Sequence, residues 1–279
     1  MKKQRKYIFF TGLAALFFLL TACSVPGVTA GSSPTPAQTL QNSSVAMSKL
    51  NSVHFDLQQA TLNVKANSGT TGITYSVAGN GDAAAPDQVS VKFTSEQRPL
   101  FALVSKGQKV YVQLTGGTWY SLDKNELRDS TQNFFSQSLA TRLAQIMTIL
   151  QNAKLTDHGQ ESVNGASLDH ITATLDTQTL QTLGSQLNGM LPANIQSGQN
   201  QVQQATLDLW IDQSTWYVHQ AKLDIVVQVD ASKLSALTGQ QPSNSSSTLP
   251  VELKARVNFS KFNQPVTIQA PSSAVPFPQ

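Results

Sequence analysis

Val251, Leu253, Ala255, Val257 and Phe259 alternate with Glu252, Lys254, Arg256 and Asn258, the cleanest two-residue period in the chain. That period predicts a strand with one apolar and one wet face. The same pattern recurs upstream. Leu207, Leu209 and Ile211 alternate with Asp208, Trp210 and Asp212, and Leu223, Ile225, Val227 and Val229 form another apolar row. Near the front, Val53, Phe55 and Leu57 are apolar on odd numbers, whereas Leu62 and Val64 continue on even ones. A bulge near Ala60-Thr61 would reconcile the two halves. Val89, Val91 and Phe93 predict a further strand. Leu100 to Val104 and Lys109 to Leu114 flank Ser105-Lys106-Gly107-Gln108 as a hairpin. Asn67-Ser68-Gly69 and Gly116-Gly117 read as turns, the first leading into Ile73 to Val77 and the second into Trp119 to Leu122.

The middle of the chain changes period. Phe135, Leu139, Leu143, Ile146, Met147 and Leu150 form one stripe of a helix predicted over Asn133 to Asn152. Leu155 to Leu175 reads as a hairpin turning at Asn164-Gly165. A second helix is expected from Asp176, its N-cap, to Leu191, with Leu180, Leu183, Leu187 and Leu191 on one face. A short helix, with Leu40, Ser44, Met47 and Leu50 on one face, opens the body, and residues 239–248 form a polar loop. Long one-sided antiparallel strands need a cover, and helices are scarce. The expected fold is therefore α+β: a curved antiparallel sheet, an incomplete barrel, wrapped over helices on its concave face.

The first residues follow a different logic. Lys2, Lys3, Arg5 and Lys6 precede an almost unbroken apolar stretch from Ile8 to Leu20, and Leu20-Thr21-Ala22-Cys23 closes it. A charged start, a short apolar run and small residues define a secretory signal, too short for a comfortable membrane span. The last four residues resemble the lipobox of bacterial lipoproteins, in which the cysteine thiol receives diacylglycerol. Residues 1–22 are thus expected to be a signal peptide and residues 23–38, rich in Ser, Gly, Thr and Pro, a lipidated flexible tether. A single domain would occupy residues 39–279. Cys23 is the only cysteine, so the chain cannot form an internal disulfide, and lipidation accounts for the odd thiol.

Charge and chemistry narrow the function. Four of the nineteen basic residues lie before the apolar stretch, leaving fifteen against sixteen acidic ones in the remainder. The net charge of +3 is therefore a property of the leader, and nothing argues for nucleic acid as a partner. Ser121-Leu122-Asp123-Lys124 matches the SxxK pattern of penicillin-interacting enzymes, but no Lys-Thr-Gly or Ser-Asp-Asn accompanies it. His158 and His170 could approach across the predicted hairpin, beside Asp157 and Asp169, with surface hydrogen bonding the favoured reading over a metal site. Asp208 and Asp212 share the polar side of a strand. No cofactor motif and no nucleophile constellation is present, so an enzyme is not expected. Tyr111, Trp119, Tyr120, Trp210, Trp216 and Tyr217 lie on or beside strands, either as filling or as a rim around an apolar opening.

Several landmarks together resemble one family. They are Met47-Ser48-Lys49-Leu50-Asn51-Ser52-Val53-His54-Phe55, Lys109-Val110-Tyr111-Val112 with Gly116-Gly117-Thr118-Trp119-Tyr120, and Leu209-Trp210-Ile211-Asp212 with Trp216-Tyr217-Val218. To these are added Phe259-Ser260-Lys261-Phe262-Asn263 and Val266-Thr267-Ile268-Gln269-Ala270-Pro271. The set resembles the LppX/LprAFG-type lipoproteins, similar in fold to the LolA and LolB carriers. The resemblance implies an incomplete barrel with a hydrophobic cavity that binds acylated lipid or glycolipid for transport in the cell envelope. The protein would sit on the extracytoplasmic side of the membrane through lipid on Cys23, with an envelope transport protein as a possible partner. The expected cavity lining is Val91, Phe93, Leu103, Val112, Leu139, Leu143, Ile225 and Val257. An envelope sensor or assembly partner that uses the same fold to bind protein is the competing reading.

Overall fold

The computed structural model describes residues 33–64, 73–115, 117–127, 135–186, 201–230 and 248–277. The strands are β1 (Ser52–Val64), β2 (Ile73–Ala84), β3 (Gln88–Ser95), β4 (Arg98–Lys106), β5 (Lys109–Leu114) and β6 (Trp119–Asp123), followed by β7 (Lys154–Val163), β8 (Ala166–Thr174), β9 (Gln201–Ile211), β10 (Val218–Asp230), β11 (Thr248–Ser260) and β12 (Val275–Pro276). All belong to one sheet, in the order β12-β6-β5-β4-β3-β2-β1-β11-β10-β9-β8-β7. Neighbours are antiparallel except the short β12–β6 pair. Among the described residues the sheet does not close, and β7 and β12 are its edges. Residues Thr35–Gln279 form one compact unit.

The register follows the apolar pattern. Phe55 pairs with Phe259 and Leu57 with Val257, then the register slips so that Gln59 pairs with Arg256. The bulge sits a little earlier than the sequence suggested, and it puts Ala60, Leu62 and Val64 on the same face as Phe55 and Leu57. Glu96 and Gln97, at φ 49° and 64°, turn β3 into β4, and Asn164-Gly165, at φ 51° and 83°, turn β7 into β8.

Among the described residues, the helices α1 (Pro36–Ser48), α2 (Leu139–Leu150) and α3 (Thr177–Gln186) lie on the concave face. Helix α1 starts inside the stretch expected to be tether. The Thr35 hydroxyl accepts the Gln38 amide, and the Gln38 side chain accepts the Thr35 amide. With Pro36 pre-set at the first position, this capping box starts the helix there. Helix α2 starts later than the predicted Asn133. Ser138 has extended backbone and its hydroxyl accepts the Thr141 amide, so the cap cuts Phe135 off from the stripe that its spacing had joined. Asp176 caps α3 through the Thr179 amide at 2.7 Å, as expected. Leu187 and Leu191 lie outside the described residues, as do the Asn67-Ser68-Gly69 turn and residues 239–247.

Helices and sheet meet in one core. Leu40, Met47 and Leu50 from α1 and its end pack with Leu143, Met147 and Leu150 of α2. Val53, Ala83, Ile171, Leu209, Ile211, Val218 and Phe259 complete the cluster from the strands. Most of this core lies toward the end of the sheet where β1 begins and β11 stops, the proximal end; on the β9 side it runs on through Ala205 with Leu183 of α3. The chain after β11 is then strapped onto the sheet. Asn263 Oδ1 accepts the Asn51 amide, the Ser52 hydroxyl donates to the Gln264 carbonyl, and Lys106 Nζ donates to the Ile268 carbonyl at 2.6 Å. The strap ends as β12 against β6, where Phe277 meets Tyr120 edge-on.

Candidate functional site

The concave face is apolar well beyond the area that the helices fill. One register row, Leu114-Phe101-Phe93-Gly79-Leu57-Val257-Ala221-Leu209-Ile171, crosses from β5 to β8 without a charged or polar side chain. Next to it, toward the distal end, run Ala60-Ala255-Leu223-Leu207 and Leu62-Leu253-Ile225-Ala205. Val64-Val251-Val227-Val202 closes the series, and Val64, Val229 and Val251 form a second buried cluster there. Leu207, Leu223, Ile225 and Val257 pack against the first cluster and Leu62 against the second, yet these residues, with Leu57 and Leu253, are only half-buried. Apolar residues that point inward and still meet solvent are the unusual feature, because a core strand normally buries that face.

Glycines deepen this face on β2. A Cβ on Gly81 would stand 2.6 Å from Phe55 Cζ, and one on Gly79 would stand 2.7 Å from Phe93 Cδ1. Both rings therefore recline into space that a side chain would occupy. Phe93 also leans on Phe101, with ring centroids 4.6 Å apart. The result is an aromatic floor across β1 to β4.

The expected lining residues fall on this face. Val91, Phe93, Leu103, Val112, Ile225 and Val257 all sit at inward register positions on their strands. Val91 and Leu143 are buried; Phe93, Leu103, Val112, Leu139, Ile225 and Val257 are half-buried. Leu143 belongs to the proximal core. The clefts beside Leu139 measure about 10 and about 50 Å³, whereas one between α1 and α2, lined by Ser44, Ser48, Ala144 and Ile149, measures about 350 Å³ and one beside the start of α3, lined by Leu175, Val202 and Ala205, about 290 Å³. Cys23 lies outside the described residues. Among the described residues no helix is long and apolar enough to cross a membrane.

The aromatic residues weighed as a rim mostly do other work. Trp210 lies on the convex face, its ring stacked on His170 at 4.4 Å and its Nε1 donating to Glu161 Oε2 at 2.9 Å. Tyr217 stacks on Phe262 at the proximal end. Trp216 takes a positive φ of 61° in the β9–β10 turn, where Asp212 gathers the Ser214 amide and hydroxyl and the Thr215 hydroxyl. The large exposed apolar side chains at the distal end are instead Tyr75, Leu100 and Leu114, which the sequence did not single out.

The polar clusters are structural. His158 and His170 do meet across the β7–β8 hairpin, with stacked rings 4.4 Å apart. His158 Nε2 pairs with the Thr172 hydroxyl, and His170 Nδ1 with Glu161 Oε1 at 2.8 Å. Hydrogen bonds from Trp210, then from His170, hold the Glu161 carboxyl below its ordinary pKa. Asp157 accepts the Gly159 amide, Asp169 accepts Gln213, and Asp208 accepts Thr172. Among the described residues no group of three or more His, Cys, Asp or Glu could hold a metal. The SxxK residues are separately engaged: Lys124 Nζ is buried and paired with Asp87 Oδ2 at 2.6 Å, while the Ser121 hydroxyl faces the Val275 carbonyl.

With the face described, relatives can be compared. The LppX_LprAFG lipoprotein family matches residues 35–268. The chain belongs to that family. Among solved structures, the lipoprotein LppX of Mycobacterium tuberculosis is 17% identical, with a TM-score of 0.46, covering 84% of this chain and 97% of LppX. LprF of Mycobacterium bovis is 17% identical, with a TM-score of 0.48, covering 86% of this chain and all of LprF. A LolA superfamily protein of Nitrosomonas europaea is 9% identical, with a TM-score of 0.23, covering 82% and 93% of the two chains. No curated protein sequence matches. As an LppX_LprAFG member the chain is an envelope lipoprotein by family.

Proposed function

We propose that this LppX_LprAFG lipoprotein carries acylated lipid or glycolipid within the cell envelope while held to a membrane by lipid on Cys23. One observation carries the reading: the inward apolar rows between the two buried clusters stay half-buried. Acyl chains laid on Leu62, Leu253, Ile225, Leu223 and Leu57 would complete the burial that the helices leave unfinished. Relative to water, each Å² of apolar surface covered contributes ~25 cal/mol. Relative to a bilayer the gain is near zero, because lipid tails already sit in hydrocarbon. A carrier that takes cargo from one membrane and releases it elsewhere needs that balance. No covalent chemistry is involved, which fits the structural roles of Ser121, Lys124 and the histidines.

The tether supports the same reading. The chain from Cys23 to Thr35 can span at most roughly 40 Å when extended, so the folded body would work close to the membrane. The test is extraction of the protein from its own membranes under native conditions, followed by mass spectrometry, together with binding of a fluorescent fatty acid. Co-purifying lipid and saturable probe binding are expected. Protein that carries no lipid and binds no acyl probe refutes the carrier reading.

A further inference from the structure

We infer that the distal end of the sheet docks directly on a lipid bilayer, through Tyr75, Leu100 and Leu114. The inference rests on the carrier reading and adds the way in which cargo enters. Six large hydrophobic side chains among the described residues are conspicuously exposed, and three of them lie toward the distal ends of their own strands: Tyr75 at 49%, Leu100 at 38% and Leu114 at 48%. They lie on β2, β4 and β5. Register connects two of them to the proposed cargo face. Tyr75 pairs with Leu62, the first member of the Leu62-Leu253-Ile225 row. Leu114 pairs with Phe101, which pairs with Phe93 on the aromatic floor. Two apolar rows therefore lead inward, one from Tyr75 and one from Leu114, and Leu100 stands beside the second at the register slip between β3 and β4.

Physical chemistry makes a bilayer the occupant of this rim. Each methylene of an acyl chain that passes through water costs about 0.8 kcal/mol. A chain of ordinary length could not cross an aqueous gap quickly, so the apolar path must meet the hydrocarbon. The geometry allows it. Strands β1, β10 and β11 are 13 residues long, about 43 Å at ~3.3 Å per residue. The twelve-residue reach from Cys23 to Thr35 is of the same order, so a body anchored at Cys23 can turn this end toward the same membrane.

The test uses the chain carrying Cys23→Ser, so that lipid on the cysteine cannot mask the result. Flotation with vesicles of equimolar phosphatidylcholine and phosphatidylglycerol measures docking. Uptake of a fluorescent fatty acid, offered in vesicles or as monomer in solution, measures cargo entry. Combining Tyr75→Ser, Leu100→Ser and Leu114→Ser is expected to lower vesicle partitioning and vesicle-fed uptake at least about tenfold. Monomer-fed binding should fall far less than vesicle-fed uptake, and an unchanged far-UV circular dichroism spectrum shows that the variant is folded. Val45→Ser, which alters a 51% exposed side chain on α1 away from the rim, should leave both readouts unchanged. The inference is overturned if the triple variant floats and loads like its parent, or if Val45→Ser has the same effect. A parent that floats but binds no probe from either source sinks the carrier reading and leaves the docking surface standing.

Discussion

Replacing Gly81 by alanine adds one methyl where strand β2 passes beneath Phe55. In an open strand the exchange would gain about 0.5–1 kcal/mol, because glycine loses more backbone freedom on folding. Here the new Cβ would stand 2.3 Å from the Ser90 carbonyl oxygen, 2.6 Å from Phe55 Cζ and 3.0 Å from Val91 Cα. The ring can rotate away, but two of the three neighbours are backbone of the paired strand β3, so β2 and β3 must separate locally. Overpacking of this kind costs about 1–3 kcal/mol. The net expectation is about 1–2 kcal/mol of destabilisation, or a Tm lower by roughly 2–8 °C for a body of this size. Urea unfolding followed by tryptophan fluorescence should show a lower midpoint with an unchanged slope. Adding Phe55→Leu should recover only part of the loss, since it relieves the ring and not the carbonyl. Gly107→Ala is the control, because nothing lies within 4 Å and only its φ of +60° opposes the side chain. A Gly81→Ala protein as stable as its parent, or complete recovery by Phe55→Leu, would refute the account of the floor.

Removing the Thr35 cap with Thr35→Ala should cost about 1 kcal/mol, read as a shift of the urea midpoint. Lys124→Ala strands the Asp87 carboxylate beside a buried site and should cost about 3 kcal/mol, whereas Ser121→Ala should leave stability within about 0.5 kcal/mol. His219 has its pKa lowered by burial, an effect that the Asp212 carboxylate opposes in part. Below about pH 6.5 the unfolded chain therefore binds a proton that the folded chain resists, so stability should fall as the pH drops from there toward the lowered folded value. Stability against pH for His219→Gln should be flatter over that window, and equal slopes in parent and variant would count against the effect.

Periodicity revealed the faces well and the depth of cover poorly. The change from odd to even apolar numbering between Leu57 and Leu62 announced a bulge, since a shift of one residue turns every side chain over. Asn164-Gly165 announced its turn because both residues tolerate positive φ. Glu96-Gln97 adopts the same kind of conformation with neither residue type, so the β3–β4 hairpin carried no turn signal. Phe135 fits the spacing of α2, and only the hydrogen bond from the Thr141 amide to Ser138 Oγ shows that the helix starts after it. The strap and β12 are too short and irregular to have a period. The Lys124–Asp87 pair joins residues 37 positions apart, beyond any local pattern. Tyr75 and Leu114 alternate just as the core residues do, so sequence could assign their face but not their exposure.

That last point bears on function. The rows Val53-Ala83-Val89 and Leu62-Leu253-Ile225 obey the same alternation, yet the first is covered by α1 and α2 and the second is half-open. Helices α1 and α2 are too short to cover both, and α3, whose Leu183 shares the core with Ala205, lies at the β9 end of the second row. At about 1.5 Å per residue, 13-residue α1 and 12-residue α2 reach only about 20 Å, whereas β1, β10 and β11 run about twice as far. A sheet built only for stability would gain nothing from apolar rows that its helices leave half-open, because exposed inward apolar residues invite aggregation. Their persistence along four adjacent strands is explained if another apolar surface covers them in use. Acyl chains are such a surface, and they are what a lipoprotein held at a bilayer has nearest to it.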